Sequence, residues 1–398
     1  MIGSGQSRAA LAERGVPSRS ATPGLRLSSS AGHLLLSAIA TVGSLLLAEW
    51  IVRVVAPQGI VTPGHESLKG LEVQRANLSG TDKVPGLFSV TYHTNSQRFR
   101  GLADYSYQPP AGVIRVITIG DSFCFGVGAE DDQTYPFALE NFLSAAGKKV
   151  QVVNAGIGGT GTGSQALWYD IGIATFNPSV VVLSVFVNDI DDDFSAPMFT
   201  LDAGGNAVPI PQRVREQRVE RRVTLRSRVN AIPGYALLAE HSQLVNLVRR
   251  LASVGMALRK PRPESEGEAR RYQGRYLTEG IPLFKAEMKW LNRQVRGSGA
   301  KLVLAWFPPR ETIYPDSGSD AEQVRWKSAV LLEALADFSA REEVPLLDPT
   351  RTFQAKASTP GELFYNGADR HARPAGYQLF AQEVGSFLLS DGATWGQH

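Results

Sequence analysis

Val113-Ile114-Arg115-Val116-Ile117-Thr118-Ile119-Gly120-Asp121-Ser122-Phe123 decides the fold of this chain. Its β-branched apolar residues read as a buried strand, and Gly120 lets the backbone turn sharply where the strand stops. Open α/β sheets bind ligands at the carboxyl ends of their strands. Ser122 stands at such an end with a helical pattern after it, so its hydroxyl would lie near the free backbone N–H groups of a helix N-terminus. Two readings are open at this point: a nucleophile, or a serine that merely caps the helix.

The same alternation continues downstream. Thr134 is placed to cap a helix through Phe137, Leu139 and Leu143 that Gly147 ends. Val150 to Val153 is a second strand, followed by the glycine-rich turn Asn154-Ala155-Gly156-Ile157-Gly158-Gly159-Thr160-Gly161 and a helix around Gln165 to Thr175. Ser179 to Val187 is nearly all apolar, as a parallel strand covered on both faces should be, and it ends in Asn188-Asp189. A helix (Phe284 to Val295), a strand (Lys301 to Trp306), a helix (Ala321 to Ala340) and a short strand (Val344 to Leu347) follow. Tyr365-Asn366-Gly367-Ala368-Asp369-Arg370-His371 is a loop before a closing helix, Pro374 to Leu389, with Pro374 in its first turn. This βα order predicts a three-layer α/β/α sandwich over residues 113–390, built on a mainly parallel five-stranded sheet.

In such a sheet Ser122, the glycine-rich turn and Asn188 share one edge. A serine nucleophile needs a base, an orienter for that base and donors for the oxyanion. His371 can take the serine proton, and Asp369 can hold its imidazole. The Ser122 N–H, the Gly159 N–H and the Asn188 side chain would be the oxyanion donors.

These residues resemble the SGNH hydrolase superfamily, also called GDSL esterases. Gly120-Asp121-Ser122 matches its first block, which implies Ser122 as nucleophile. Asn154-Ala155-Gly156-Ile157-Gly158-Gly159 looks like the second, whose oxyanion glycine aligns with Gly159, Gly156 being the competing choice. Val187-Asn188-Asp189 resembles the third with Asn188 as the oxyanion asparagine, although Phe186 replaces the glycine of the common Gly-x-Asn-Asp pattern. Asp369-Arg370-His371 matches the last block in a short form, with one intervening residue instead of two. The stretch Ile117 to Tyr135, with Phe123, Phe125, Gly126 and Gly128, looks like the membrane-anchored bacterial branch. The resemblance implies the flavodoxin-like SGNH fold and no cofactor or metal.

Upstream, residues 1–33 are rich in Ser, Gly, Ala and Arg and read as a disordered tail. Residues 34–55 are apolar over the ~20 residues that span a bilayer. Arg8, Arg14, Arg19 and Arg26 precede them against only Glu13, so the positive-inside rule predicts a cytoplasmic N-terminus and an extracytoplasmic bulk. A cleaved signal peptide and a buried soluble helix are the rival readings. Residues 56–112 read as a connecting region with a strand at Phe88 to Thr94 and a loop from Ala103 to Gly112.

A long insertion, about 190–278, carries an arginine-rich run from Arg213 to Arg228, an amphipathic segment from Tyr235 to Leu258 and a loop from Pro261 to Glu268. It reads as a helical lid with a solvated basic face, against a membrane-surface helix or a site for an acidic polysaccharide. Cys124, the lone cysteine, reads as a small buried hydrophobe, and Asp121 as a support for the turn. His93 and His241 have no partner spacing and read as surface or packing residues, and Asp191-Asp192-Asp193 as a solvated loop.

A net charge of +3 over 398 residues gives no reason to invoke nucleic acid. The expectation is a single-pass inner-membrane protein with a periplasmic serine esterase domain. It would act on O-acyl, chiefly O-acetyl, esters of an envelope carbohydrate or lipid. An O-acyltransferase to an extracellular polysaccharide and a catalytically idle carbohydrate-binding component are the alternatives. Intact Ser122, Asp369 and His371 favour an enzyme.

Overall fold

The computed structural model describes residues 29–61, 64–220, 232–259, 266–314, 320–366 and 369–390. Most of the expected tail, residues 221–228 of the arginine-rich run and residues 261–265 of the expected loop lie outside them. The chain divides into two compact units, Met1–Ile51 and Val52–His398. Helix α1 (Ser29–Val55) contains a window, Gly32–Val55, of mean hydropathy 1.9 that is long and apolar enough to cross a membrane. Only 6 % of that window is buried, unlike the core helix of a soluble domain; an anchor and a signal segment share this property.

The larger unit is built on five strands: β1 (Ile114–Gly120), β2 (Val150–Asn154), β3 (Val180–Val185), β4 (Lys301–Trp306) and β5 (Leu346–Leu347). Their spatial order is β5-β4-β3-β1-β2 and every pairing is parallel. Side chains alternate between the two faces, as the strand period of two requires. Ile117, Ile119, Val181, Leu183, Leu302 and Leu304 enter one core, and Val116, Val180, Val182, Val303 and Ala305 enter the other. Helices α3 (Tyr135–Ala145) and α8 (Pro374–Ser390) cover the second face through Leu139, Leu143, Phe380 and Val384. Helices α4 (Thr162–Trp168), α6 (Ile281–Gly297) and α7 (Ala321–Glu342) cover the first through Leu167, Phe284, Met288, Leu331 and Leu335. This is the expected three-layer sandwich on a five-stranded sheet.

Three local expectations need correction. Thr134 precedes α3, but its hydroxyl donates to Asp131 O (3.1 Å) and makes no cap bond; Pro136 sits in the first turn of the helix. The acidic run is not a solvated loop. It forms helix α5 (Asp189–Ser195), whose carboxylates suit the positive helix start, and Asp189 and Asp193 are buried. His93 has a partner after all, since its Nδ1 lies 2.7 Å from Asp131 Oδ2.

Residues 60–93 form two small antiparallel sheets, one including the expected strand as Phe88–His93. An antiparallel bridge, Arg100 to Asn154, ties the segment after them to β2. The insertion holds a hairpin, Phe199–Leu201 with Ala207–Pro209, and then helices Tyr235–His241, Gln243–Arg259 and Glu266–Arg275.

Candidate active site

The strand order reverses between β1 and β3, which lie side by side at the centre of the sheet. Such a switch point opens a crevice beyond the carboxyl ends of the strands. Ser122 leaves β1 and Asn188 leaves β3 at this crevice. Gly120 is needed at the turn because a Cβ there would press on Cys124 Cβ and Ser184 O, both at 2.8 Å.

Ser122 is the first residue of helix α2 (Ser122–Phe125), so its N–H has no acceptor within the helix. Asp121 caps that helix by accepting from Phe123 N (2.9 Å), the supporting role expected of it. Burial pushes the Asp121 carboxyl up to about 6, against the Phe123 N–H and the charge of His371. The turn after α2 is held from beneath by Arg100, which is only 6 % exposed. Its guanidinium donates to Phe125 O (3.0 Å), Gly126 O (2.9 Å) and Ala129 O (2.5 Å), and to Asp131 Oδ1 at 2.9 Å. Sequence reasoning missed this residue. A lone arginine in a loop gives no signal of its own, because its partners lie 25 to 31 positions away.

His371 comes from a short return of the chain before α8. Tyr365 N donates to His371 O (2.9 Å), Arg373 N to Leu363 O (2.8 Å), and Phe364 bridges Ala372. The ring nitrogen Nε2 of His371 lies 2.9 Å from Ser122 Oγ, across 249 positions of sequence. Nδ1 lies 2.9 Å from Asp369 Oδ1, which also accepts the His371 backbone N–H (2.9 Å). Burial pushes the Asp369 carboxyl up, but its hydrogen bonds with His371 and that ring's charge outweigh burial and hold it below the usual carboxylate range. A hydroxyl, an imidazole and an ionised carboxylate in line can pass the hydroxyl proton to the ring and hold the imidazolium that results.

The other expected site residues fall as follows. Gly156 is spent on packing: a Cβ there would strike Phe125 N, and its N–H donates to Asn154 Oδ1 (3.1 Å). Gly159 is exposed, with φ +71° and open space where a side chain would sit. A Cβ on the intervening Gly158 would lie 3.7 Å from Ser122 Cβ, so this turn runs beside the serine. The Asn188 amide nitrogen donates to Asp192 Oδ2 (2.9 Å), and its Oδ1 is buried without a partner.

Asp82, from the upstream sheet and nearly buried, was also missed. Burial and then the charge of Asp369 push its carboxyl up to about 6, against His371 and Arg100. Cys124 is fully buried with its thiol pushed up to about 12 by burial, as a packing residue should be. Among the described residues no cluster of three or more His, Cys, Asp or Glu side chains is arranged to hold a metal ion.

A parallel α/β sheet with Gly-Asp-Ser at one strand end and Asp-x-His before the last helix defines a hydrolase acting on esters. The profile of the GDSL-like lipase/acylhydrolase family matches residues 118–379, and the chain belongs to that family. Among solved structures it is similar to a putative lipolytic protein of the G-D-S-L family from Desulfitobacterium hafniense DCB-2 (12 % identity, 69 % of this chain and 99 % of that one, TM-score 0.37). It is also similar to the acetyl xylan esterase AlAXEase (16 %, 69 % and 98 %, TM-score 0.40). A third is Axe2, an acetylxylan esterase from Geobacillus stearothermophilus (12 %, 69 % and 94 %, TM-score 0.40). No curated relative matches the chain.

Proposed function

We propose that the chain hydrolyses O-acyl esters, chiefly O-acetyl esters, of an envelope carbohydrate or lipid through an acyl-Ser122 intermediate. The observation that carries this reading is the unbroken line of 2.9 Å contacts from Ser122 Oγ through His371 to Asp369 Oδ1. Ser122 Oγ attacks the acyl carbon as its proton passes to His371 Nε2. The carbonyl oxygen becomes an oxyanion that the N–H groups of Ser122 and Gly159 and the amide of Asn188 receive. The tetrahedral intermediate collapses, the alcohol leaves with the proton from His371, and the acyl group remains on Ser122. Water then gives a proton to the same nitrogen and attacks the acyl carbon, and the second tetrahedral intermediate collapses to the free acid as His371 returns that proton to Ser122 Oγ. Asp369 holds the ring and balances its charge throughout.

Helix α1 serves as the anchor, with the arginine-rich tail in the cytoplasm and the catalytic unit on the periplasmic side of a bacterial inner membrane. The test is labelling by a serine-directed fluorophosphonate. Wild type should be labelled and should hydrolyse an activated acetyl ester, and Ser122→Ala should do neither while keeping its thermal transition. Labelling of Ser122→Ala at the wild-type rate would refute the mechanism. Deacylation in water and then in an acidic polysaccharide separates hydrolysis from transfer: an acceptor that speeds deacylation and becomes acylated marks a transferase.

A further inference from the structure

We propose that Phe186 sets the acyl-chain length of this site, restricting it to short acyl groups; the proposal rests on Ser122 being the nucleophile. Gly120 and Ser184 are direct partners across β1 and β3, and the strands run parallel. Ser122 follows Gly120 by two residues and Phe186 follows Ser184 by two, so both stand just beyond the carboxyl ends of neighbouring strands, and both are half-buried. The backbone on either side of Phe186 is fixed. Phe307 N donates to Val185 O (3.0 Å), and Asp189 N donates to Phe186 O (3.2 Å) in the turn that carries Asn188.

The side chain is equally constrained. The Phe186 ring lies on the Phe123 ring, with centroids 3.8 Å apart and planes inclined by 31°. Phe123, next to Ser122 in sequence, is 4 % exposed and lies 5.0 Å from the His371 ring and 4.9 Å from Phe307. Phe186 is thus the outer ring of an aromatic stack whose inner ring backs the base. Asn188 follows Phe186 by two residues. A carbonyl oxygen received by Asn188 brings the group on its carbon alongside the Phe186 ring. The glycine of the Gly-x-Asn-Asp pattern would carry no side chain at this position; here it carries a phenyl ring, stacked on Phe123.

The consequence is a steep dependence on chain length. Each methylene buried in the transition state is worth about fourfold in kcat/KM, and a chain turned away by Phe186 forfeits that gain. The experiment compares kcat/KM for p-nitrophenyl acetate and p-nitrophenyl octanoate in the full-length wild type, Phe186→Ala and Phe186→Leu. Wild type should prefer acetate. Phe186→Ala should raise the octanoate-to-acetate ratio by about tenfold or more, with Phe186→Leu, which keeps more of the apolar packing, in between. A loss of fold lowers both rates alike and leaves the ratio unmoved, so the ratio reads the pocket. An unchanged ratio in Phe186→Leu and Phe186→Ala, with fluorophosphonate labelling intact, would overturn the proposal, as would a wild type that prefers octanoate. Failure of the underlying reading appears differently, as a wild type that fluorophosphonate does not label.

Discussion

Asp369 is a residue on which opposing effects meet. Burial favours its neutral form and His371 favours the charged one, and His371 wins. Its stabilising contact is therefore complete above the ordinary carboxyl range and fades as pH falls below it. An amide at this position keeps the shape but cannot balance an imidazolium. Asp369→Asn should lower kcat by about 10³ to 10⁴-fold, read by steady-state kinetics on an acetyl ester. Asn188 is a different case, because its amide nitrogen rests on Asp192. An amide carries two N–H groups, and this side chain hydrogen-bonds Asp121 as well as Asp192, so it would serve an oxyanion by exchanging one of these acceptors for it. Asn188→Ala should lower kcat by about 10² to 10³-fold with little change in KM. A change confined to KM would make Asn188 a binding group.

Among the elements, α5 and α6 meet over buried acid. Glu287 of α6 and Asp193 of α5 both lie against Gly163, whose missing side chain makes the room, since a Cβ there would come 2.5 Å from Glu287 Oε1 and 3.2 Å from Asp193 Oδ1. Burial pushes both carboxyls up. As pH rises past about 4 the unfolded chain releases these protons and the folded chain keeps them, so folding loses stability with rising pH. Glu287→Gln keeps a donor and removes the titration. Its unfolding free energy should fall less than that of wild type between pH 5 and pH 8, by roughly 1 kcal/mol or more, read by denaturant unfolding. Equal slopes would exclude a proton kept by Glu287 in the folded chain. The loop beneath Ser122 offers a second test. Arg100→Ala strips three carbonyls and Asp131 of their donor and should cost about 3 kcal/mol or more in denaturant unfolding.

These two elements also mark where the sequence stops being legible. The strands were readable because Val180–Val185 is buried on both faces and therefore apolar throughout. Ser122, His371 and Asp369 were readable because chemistry restricts which residue types can serve. The acidic run misled because three consecutive Asp look solvated, and the groups that make Asp193 tolerable inside, the Gly163 N–H and Glu287, lie 30 and about a hundred positions away. Arg100 and Asp82 carried no local signal for the same reason: their partners come from distant strands and loops.

For the whole molecule, a doubly wound sheet concentrates its chemistry at one crevice however far apart the contributing segments are in sequence. The site therefore faces whichever compartment receives the residues after α1. A reporter fused after His398 should be active in the periplasm and a cytoplasmic reporter silent there. The opposite pattern would reverse the orientation read from Arg8, Arg14, Arg19 and Arg26.

The separation of Ser122 from His371 has a consequence during protein synthesis. A ribosome adding 5–20 residues per second needs roughly 12 to 50 s to cover the 249 positions between them. Throughout that interval the emerging chain holds a serine without a base and is chemically silent. Helix α8 must still close on α3, where Gly385 lies against the Phe142 ring so tightly that a Cβ would clash. Any message cut short before His371 yields an inert product, so activity reports that translation has passed that residue.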